Sequence, residues 1–268
     1  MQIEVIVQLA DGARDAQIFG LLDRHKSPVQ VFAERPFEEC RRSRRLDRGA
    51  PVHRHGRARN RRFIAIAGGF RPGVETFVET FDDAGKNVFA EAAGESWSLP
   101  LLRGLGGLIQ TMAESMLVFA PHANSWRRFV SQSYAPVAPT WGVNNRSVAL
   151  RVPAGDAKNR RIEHRPSGVD ANPYLVATTV LAGIAKGLDE GLDPGPETTG
   201  NGYEAAVTRT TMPVDWRAAI EAARASDFLK EALGEDLHRT FVAIKQSEYL
   251  RVARTVSELD YHLYLHEV

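Results

Sequence analysis

Residues 141–165 read WGVNNRSVALRVPAGDAKNRRIEHR, and the fold turns on how this stretch is read. Two runs with extended character, RSVALRV at 146–152 and RRIEHR at 160–165, flank a bend made by Pro153, Gly155 and Asp156, which predicts two short strands joined by a turn. In an extended strand, residues two apart share a face, so Arg161, Glu163 and Arg165 project together while Ile162 and His164 point the other way. An isolated R-x-E-x-R is most simply a surface ladder of ion pairs. Here it has company, because Arg127, Arg128, Arg146, Arg151 and Arg160 lie within forty residues of it and Lys158 is the only lysine of the stretch. Arginine is favoured over lysine where phosphate or carboxylate is gripped by a planar fork. A carboxylate among such arginines can hold a divalent cation, which in turn neutralises phosphate oxygens. The pattern fits chemistry on a polyphosphate.

Working outward, Leu105, Leu108, Ile109, Met112 and Met116 recur at helical spacing, with Gly104, Gly106 and Gly107 loosening the first turn. A second helix is marked by Asn172 as N-cap, Pro173 at the first helical position, and the stripe Leu175, Leu181, Ile184 and Leu188. The turn-rich loop 191–202 leads to a helix over WRAAIEAARAS and to a long C-terminal helix from about residue 228, broken near 247. On the N-terminal side, VETFVETF reads as a strand followed by the hairpin chemistry of DDAGKN, and QIEVIVQL at 2–9 reads as a strand ending in the Asp11-Gly12 turn. Strands with helices segregated around them make the fold class α+β.

The 268 residues are 43% hydrophobic and 25% charged, which excludes a disordered or fibrous chain. The single cysteine, Cys40, excludes an internal disulfide and a CxxC zinc site, and a reducing cytoplasm is the expected compartment. No run approaches a membrane span and the start MQIEVIVQLADG lacks signal-peptide design, so no membrane partner is expected. The net charge of +1 hides an asymmetry, since residues 35–62 hold eleven arginines, no lysine, and only Glu38, Glu39 and Asp47 as acids. This stretch lacks the aromatic interleaving of single-strand binders and any helix-turn-helix or RNA-binding motif, so no nucleic-acid partner is expected either.

NSWRRF (124–129), YAP (134–136), WGVNNRSVALRVP (141–153), RRIEHR (160–165) and ANPYL (171–175) stand in the order and spacing of the glutamine synthetase catalytic domain, which the chain resembles over roughly residues 73–268. The resemblance implies an antiparallel sheet with helices packed around it. It implies a reaction in which ATP phosphorylates the side-chain carboxylate of glutamate and ammonia or an amine displaces the phosphate, with Mg2+ or Mn2+ as the metal. By the same resemblance Arg128 and Arg146 match arginines that hold glutamate and the transferring phosphoryl group, Arg151 and Arg161 those that contact nucleotide phosphates, Arg165 the one that grips substrate carboxylate, and Glu163 a metal ligand. Members that use ammonia carry a glutamate immediately before the AP of the flap. Tyr134 stands there, which removes the attraction for a small cation and the obvious general base, and SYAPVAPTWGVNNRS resembles the branch that joins glutamate to larger amines, the gamma-glutamylpolyamine synthetases.

The pattern also departs from the family. Where a GSGMH-x-H-x-S stretch belongs, the sequence has GVETFVET, which puts Glu75 at the first histidine and Phe77 at the second. A carboxylate can still bind magnesium or manganese, whereas a phenyl ring cannot replace an imidazole. For the upstream metal-binding glutamates, DGARDAQI offers Asp15 and Gln17. The organisation expected is a partial β region at 1–34, an arginine-rich irregular segment at 35–72, diverged or out of frame, and the catalytic domain at 73–268. Because the small β domain that completes a neighbour's site in the family has no counterpart in the sequence, a homo-oligomer smaller than the family's closed double ring is expected. Two functional readings follow: an ATP-dependent glutamate–amine ligase, or a catalytically inactive member that keeps at most nucleotide binding.

Overall fold

The computed structural model describes strands at 2–10, 16–23, 30–32 and 75–81, and residues 87–90, 97–130, 133–205 and 212–265. The Asp11-Gly12 turn, Asp15, the arginine-rich segment 35–72 and most of DDAGKN lie outside these residues.

Seven strands form one sheet: β1 (Gln2–Ala10), β2 (Ala16–Asp23), β3 (Gln30–Phe32), β4 (Glu75–Phe81), β5 (Trp141–Val143), β6 (Leu150–Val152) and β7 (Ile162–His164). Their order is β3-β2-β1-β4-β7-β6-β5. The pairings are antiparallel except the last, where β5 and β6 run parallel, so the expected antiparallel sheet is mixed at one edge. The extended run foreseen at 146–152 is a strand only from Leu150, because Asn145 Oδ1 accepts from both the backbone N–H and the hydroxyl of Ser147 and curls residues 144–149 into a turn. Asn144, at φ 48°, starts that reversal.

Ser98 caps α1 (Leu99–Phe119) by accepting from the N–H of Leu101. Asn172 caps α3 (Pro173–Glu190) by accepting from the N–H groups of Tyr174 and Leu175, and Gly191 ends that helix at φ 68°. Between them lies the single turn α2 (Ala123–Trp126). After the short α4 (Gly202–Ala205) come α5 (Trp216–Ala225), α6 (Asp227–Leu233), α7 (Glu235–Ala253) and α8 (Glu258–Tyr264). The C-terminal helix breaks at Gly234, with φ 81°, and again at 254–257; Ser247 lies inside α7, so the expected break near 247 is not there.

Helices α1 and α3 cover the face of the sheet that carries Ile162 and His164. A Cβ added to Gly104 of α1 would meet Ile184 of α3 at 3.5 Å and Ile162 of β7 at 3.7 Å. Leu101, Leu105, Leu150, Ile162, Leu181 and Ile184 are fully buried in this one cluster, each removal from water contributing about 2 kcal/mol. With Ile162 and His164 committed to the helical layer, strand alternation turns Glu163 to the opposite face.

Candidate active site

Glu163 is fully buried and both its oxygens are taken by arginines: Arg151 Nη1 lies 2.5 Å from Oε2 and Arg165 Nη1 2.5 Å from Oε1. Arg151 reaches it across the ladder, as the Cα partner of Glu163 in the β6–β7 register. The second prong of Arg151, Nη2, donates to Asn144 Oδ1 at 2.6 Å, and its Nε is buried without a partner. Two guanidinium groups fixed on one buried carboxylate present oriented N–H donors of the kind that grip phosphate and carboxylate.

The loop of Tyr134 closes over this group. Arg165 Nη2 donates to the Tyr134 carbonyl at 3.3 Å, while the Tyr134 side chain is two-thirds exposed. Tyr203 of α4 donates its hydroxyl to the Ala135 carbonyl at 3.1 Å. Tyr134 itself has φ 58°, a left-handed conformation that costs a residue with a Cβ about 1 kcal/mol.

The structure thus brings together Arg151, Glu163, Arg165 and the backbone of Tyr134. The other residues singled out in the sequence lie elsewhere, except Glu75, which stands on the strand paired with β7. Arg161 sits just before β7 and donates to the Asn159 carbonyl at 3.4 Å, so the second guanidinium on Glu163 comes from Arg151. Arg146 is exposed in the 144–149 turn. Arg128 is buried: it donates to the Pro166 carbonyl and stacks over the Phe129 ring at 4.3 Å. Loss of hydration pulls its pKa down to about 10, with Asp170 opposing the shift. Glu75 opens β4, one residue before Thr76, the register partner of His164. Sequence reasoning missed Asn144 and Tyr203. The Asn-Asn pair at 144–145 was a turn signal that could have found the first, and no local signal marks the second.

On the helical side, His164 packs edge-on against Phe119 with ring centroids 4.4 Å apart, and its Nε2 is buried without a partner. Burial, and then the charge of Arg128, push its pKa down to about 3.

A phosphate-bearing ligand fits the donor set, since Arg151 keeps a buried N–H without an acceptor beside a second fixed guanidinium. A divalent cation fits the described residues less well. Among them no three of His, Cys, Asp and Glu stand close enough to hold a metal, and Glu163 has both oxygens engaged by arginine.

An α+β sheet with two arginines on a buried strand carboxylate, under a loop reading SYAP, defines the class: residues 77–264 match the family model of the glutamine synthetase catalytic domain. The chain belongs to the glutamine synthetase family, on the side of the gamma-glutamyl amine synthetases. It is 39% identical over 188 residues to gamma-glutamylputrescine synthetase PuuA of Escherichia coli, covering 70% of this chain and 39% of that protein. It is 36% identical over 157 residues to gamma-glutamylethanolamide synthetase GlnA4 of Streptomyces coelicolor, covering 58% and 33%. It is 31% identical over 200 residues to the glutamine synthetase of Halobacterium salinarum, covering 72% and 44%. The solved GmaS/ADP complex superposes with a TM-score of 0.65 at 28% identity, over 73% of this chain and 46% of that one. The chain therefore spans less than half the length of these relatives. Among the described residues no helix is long and apolar enough to cross a membrane.

Proposed function

We propose that this chain carries the phosphate- and amine-facing part of an ATP-dependent ligase that joins the gamma-carboxylate of glutamate to an amine larger than ammonia. The observation that carries the reading is the Arg151–Glu163–Arg165 group, which fixes two guanidinium forks on one buried carboxylate. In this role Arg151 and Arg161 hold the nucleotide phosphates, Arg128 and Arg146 serve glutamate and the transferring phosphoryl group, and Arg165 serves a substrate carboxylate. The gamma-phosphoryl group passes from ATP to the glutamate carboxylate, giving ADP and an acyl phosphate. The amine nitrogen then forms a bond to the acyl carbon, the carbon–oxygen bond to phosphate breaks, and the amine proton leaves to solvent. Spreading positive charge over the phosphoryl oxygens is the main demand of the first step, and fixed guanidinium groups meet it without reorganising. Mg2+ or Mn2+ would add charge neutralisation, held by Glu163 and Glu75, only where an arginine gives up its Glu163 oxygen.

Tyr134 supports the larger amine, because the ring occupies the place where a carboxylate would attract ammonium. The relatives named for putrescine and ethanolamide products support the same substrate class. A second reading, nucleotide binding without turnover, is favoured by the lack of a three-ligand metal cluster among the described residues. Phosphate release from ATP in the presence of glutamate and putrescine, with Mg2+ or Mn2+, tests the ligase. Release that depends on both substrates is the expected result; calorimetric ATP binding with no release under any of these conditions would replace the ligase with the second reading.

A further inference from the structure

Of the 19 residues of α7 only His238, Val242 and Lys245 are buried, and beyond Lys245 the helix buries none. A lysine is an unusual anchor, since an ammonium gives up its hydration on burial. Lys245, with its side chain 8% exposed, has two polar neighbours: its Nζ donates to Glu248 Oε2 at 2.8 Å and lies 3.5 Å from Nδ1 of His122, at the start of α2. His122 is tied into the α2 turn, where its backbone N–H donates to Ser125 Oγ at 3.0 Å and Ser125 Oγ donates in turn to Asp170 Oδ2 at 2.5 Å. The charged groups facing the imidazole are Lys245 and Glu248 from α7 and Asp170 from the segment before α3. Only a neutral imidazole has a lone pair to offer an ammonium. Beyond Lys245 the helix is held more loosely: Tyr249 meets the Trp216 ring edge-on at 5.9 Å, and Gln246 accepts from the exposed Arg224 at 2.8 Å.

We propose that His122 is a pH-sensitive latch for the second half of α7: the neutral ring accepts from Lys245 and holds the helix on the α2 turn, and the protonated ring expels the ammonium and frees residues 246–253. Imidazolium loses the acceptor at Nδ1 and sets a second cation against Lys245, so the two compete for Glu248. Burial, and then Lys245, hold the pKa of the folded ring below 6.5 against the opposing pull of Asp170 and Glu248. Docking of α7 is therefore fully supported above pH 6.5 and weakens as pH falls below it. The other end of α7 is insensitive to the same change, because His238 Nε2 donates to the Ala223 carbonyl at 2.7 Å and an imidazolium keeps that N–H. The latch is independent of the ligase reaction proposed above, and a chain without turnover would show it equally.

Hydrogen exchange of the full chain between pH 7 and pH 5, corrected for intrinsic rates, tests the latch. Protonation of His164 lowers protection throughout the fold, so the reading is the protection of residues 246–253 relative to α1. In the wild type this ratio should fall as pH drops below 6.5, by at most about tenfold per pH unit, the limit for uptake of one proton. His122→Asn keeps a side-chain acceptor for Lys245 but does not titrate, and it should abolish the fall. Lys245→Met keeps the length of the side chain and removes its charge, and an NMR titration should then show the His122 pKa raised toward 6.5. A lysine that only fills space would leave that pKa where it is. A ratio constant between pH 7 and pH 5, a fall that survives in His122→Asn, or an unmoved His122 pKa in Lys245→Met would each overturn the latch. If His122→Asn does not fold, the wild-type ratio and the Lys245→Met titration decide the matter.

Discussion

Gly107 of α1 and Gly183 of α3 meet backbone to backbone: a Cβ added to Gly107 would collide with the Gly183 carbonyl and would lie 2.6 Å from the Gly187 nitrogen. Gly107 therefore does more than loosen a turn. It weakens the helix by about 1 kcal/mol relative to alanine, and the close approach it permits seals the core between α1 and α3.

Gly107→Ala is accordingly expected to destabilise the protein, by about 3 kcal/mol, even though alanine is the better helix former. The collision is with main chain, which cannot rotate away. Urea unfolding checks this, with Gly155→Ala as the control: an added Cβ at Gly155 meets nothing within 4 Å and should change stability by less than about 0.5 kcal/mol. Equal midpoints for the two variants would remove the helix crossing from the account.

His164 sets a pH dependence. Its pKa is 6.5 when solvated and is pushed down to about 3 in the folded chain by burial and by Arg128. Above pH 6.5 the ring is neutral folded or unfolded, and its contribution to stability is complete. Below 6.5 the unfolded chain takes up a proton that the folded chain refuses, so stability falls by about 1.4 kcal/mol per pH unit until the folded pKa is reached. His122, whose pKa is also lowered by burial and by Lys245, adds to the same slope, so the test is a difference. His164→Phe keeps a ring against Phe119 and removes the buried Nε2. Between pH 7 and pH 5 it should unfold with a shallower pH dependence than the wild type; parallel profiles would mean that His164 does not carry the effect.

Tyr134→Glu would place a carboxylate before the AP of the loop, as in the family members that use ammonia. If the loop governs amine choice, the ratio of kcat/KM for ammonium over putrescine should rise by about tenfold, equivalent to about 1.4 kcal/mol of differential binding. The strain of the left-handed backbone is carried by either residue and cancels in the comparison. An unchanged ratio would show that amine selection lies elsewhere.

Much of this was legible along the chain. Asn172, Pro173 and Gly191 bound α3 by local hydrogen bonding and backbone preference, so a start and a stop could be read without knowing the neighbours. The apolar spacing from Leu105 to Met116 marked a buried helix for the same reason. Strand ends were less legible. Asn145 and Ser147 hold the first half of RSVALRV in a turn by side-chain bonds that compete with the ladder, and an alternating pattern does not record that competition. The C-terminal helix breaks at Gly234 rather than near 247 because glycine takes φ 81° at little cost.

The sequence by itself determined the α+β class, the order of the five motif blocks and hence the family, and the face of β7 on which Glu163 lies, because period-two alternation and capping are local properties. Tertiary structure alone decided which arginines hold Glu163. Arg161 and Arg165 are equally spaced from it along the strand, yet the cross-strand register brings in Arg151 from β6, and register is set by pairing between segments rather than within one. The same holds for Arg128, whose burial against Phe129 and Pro166 no spacing announces, and for Tyr203, which reaches Ala135 across 68 residues. Contacts at such separations depend on where the whole chain packs, and a local pattern carries no information about that.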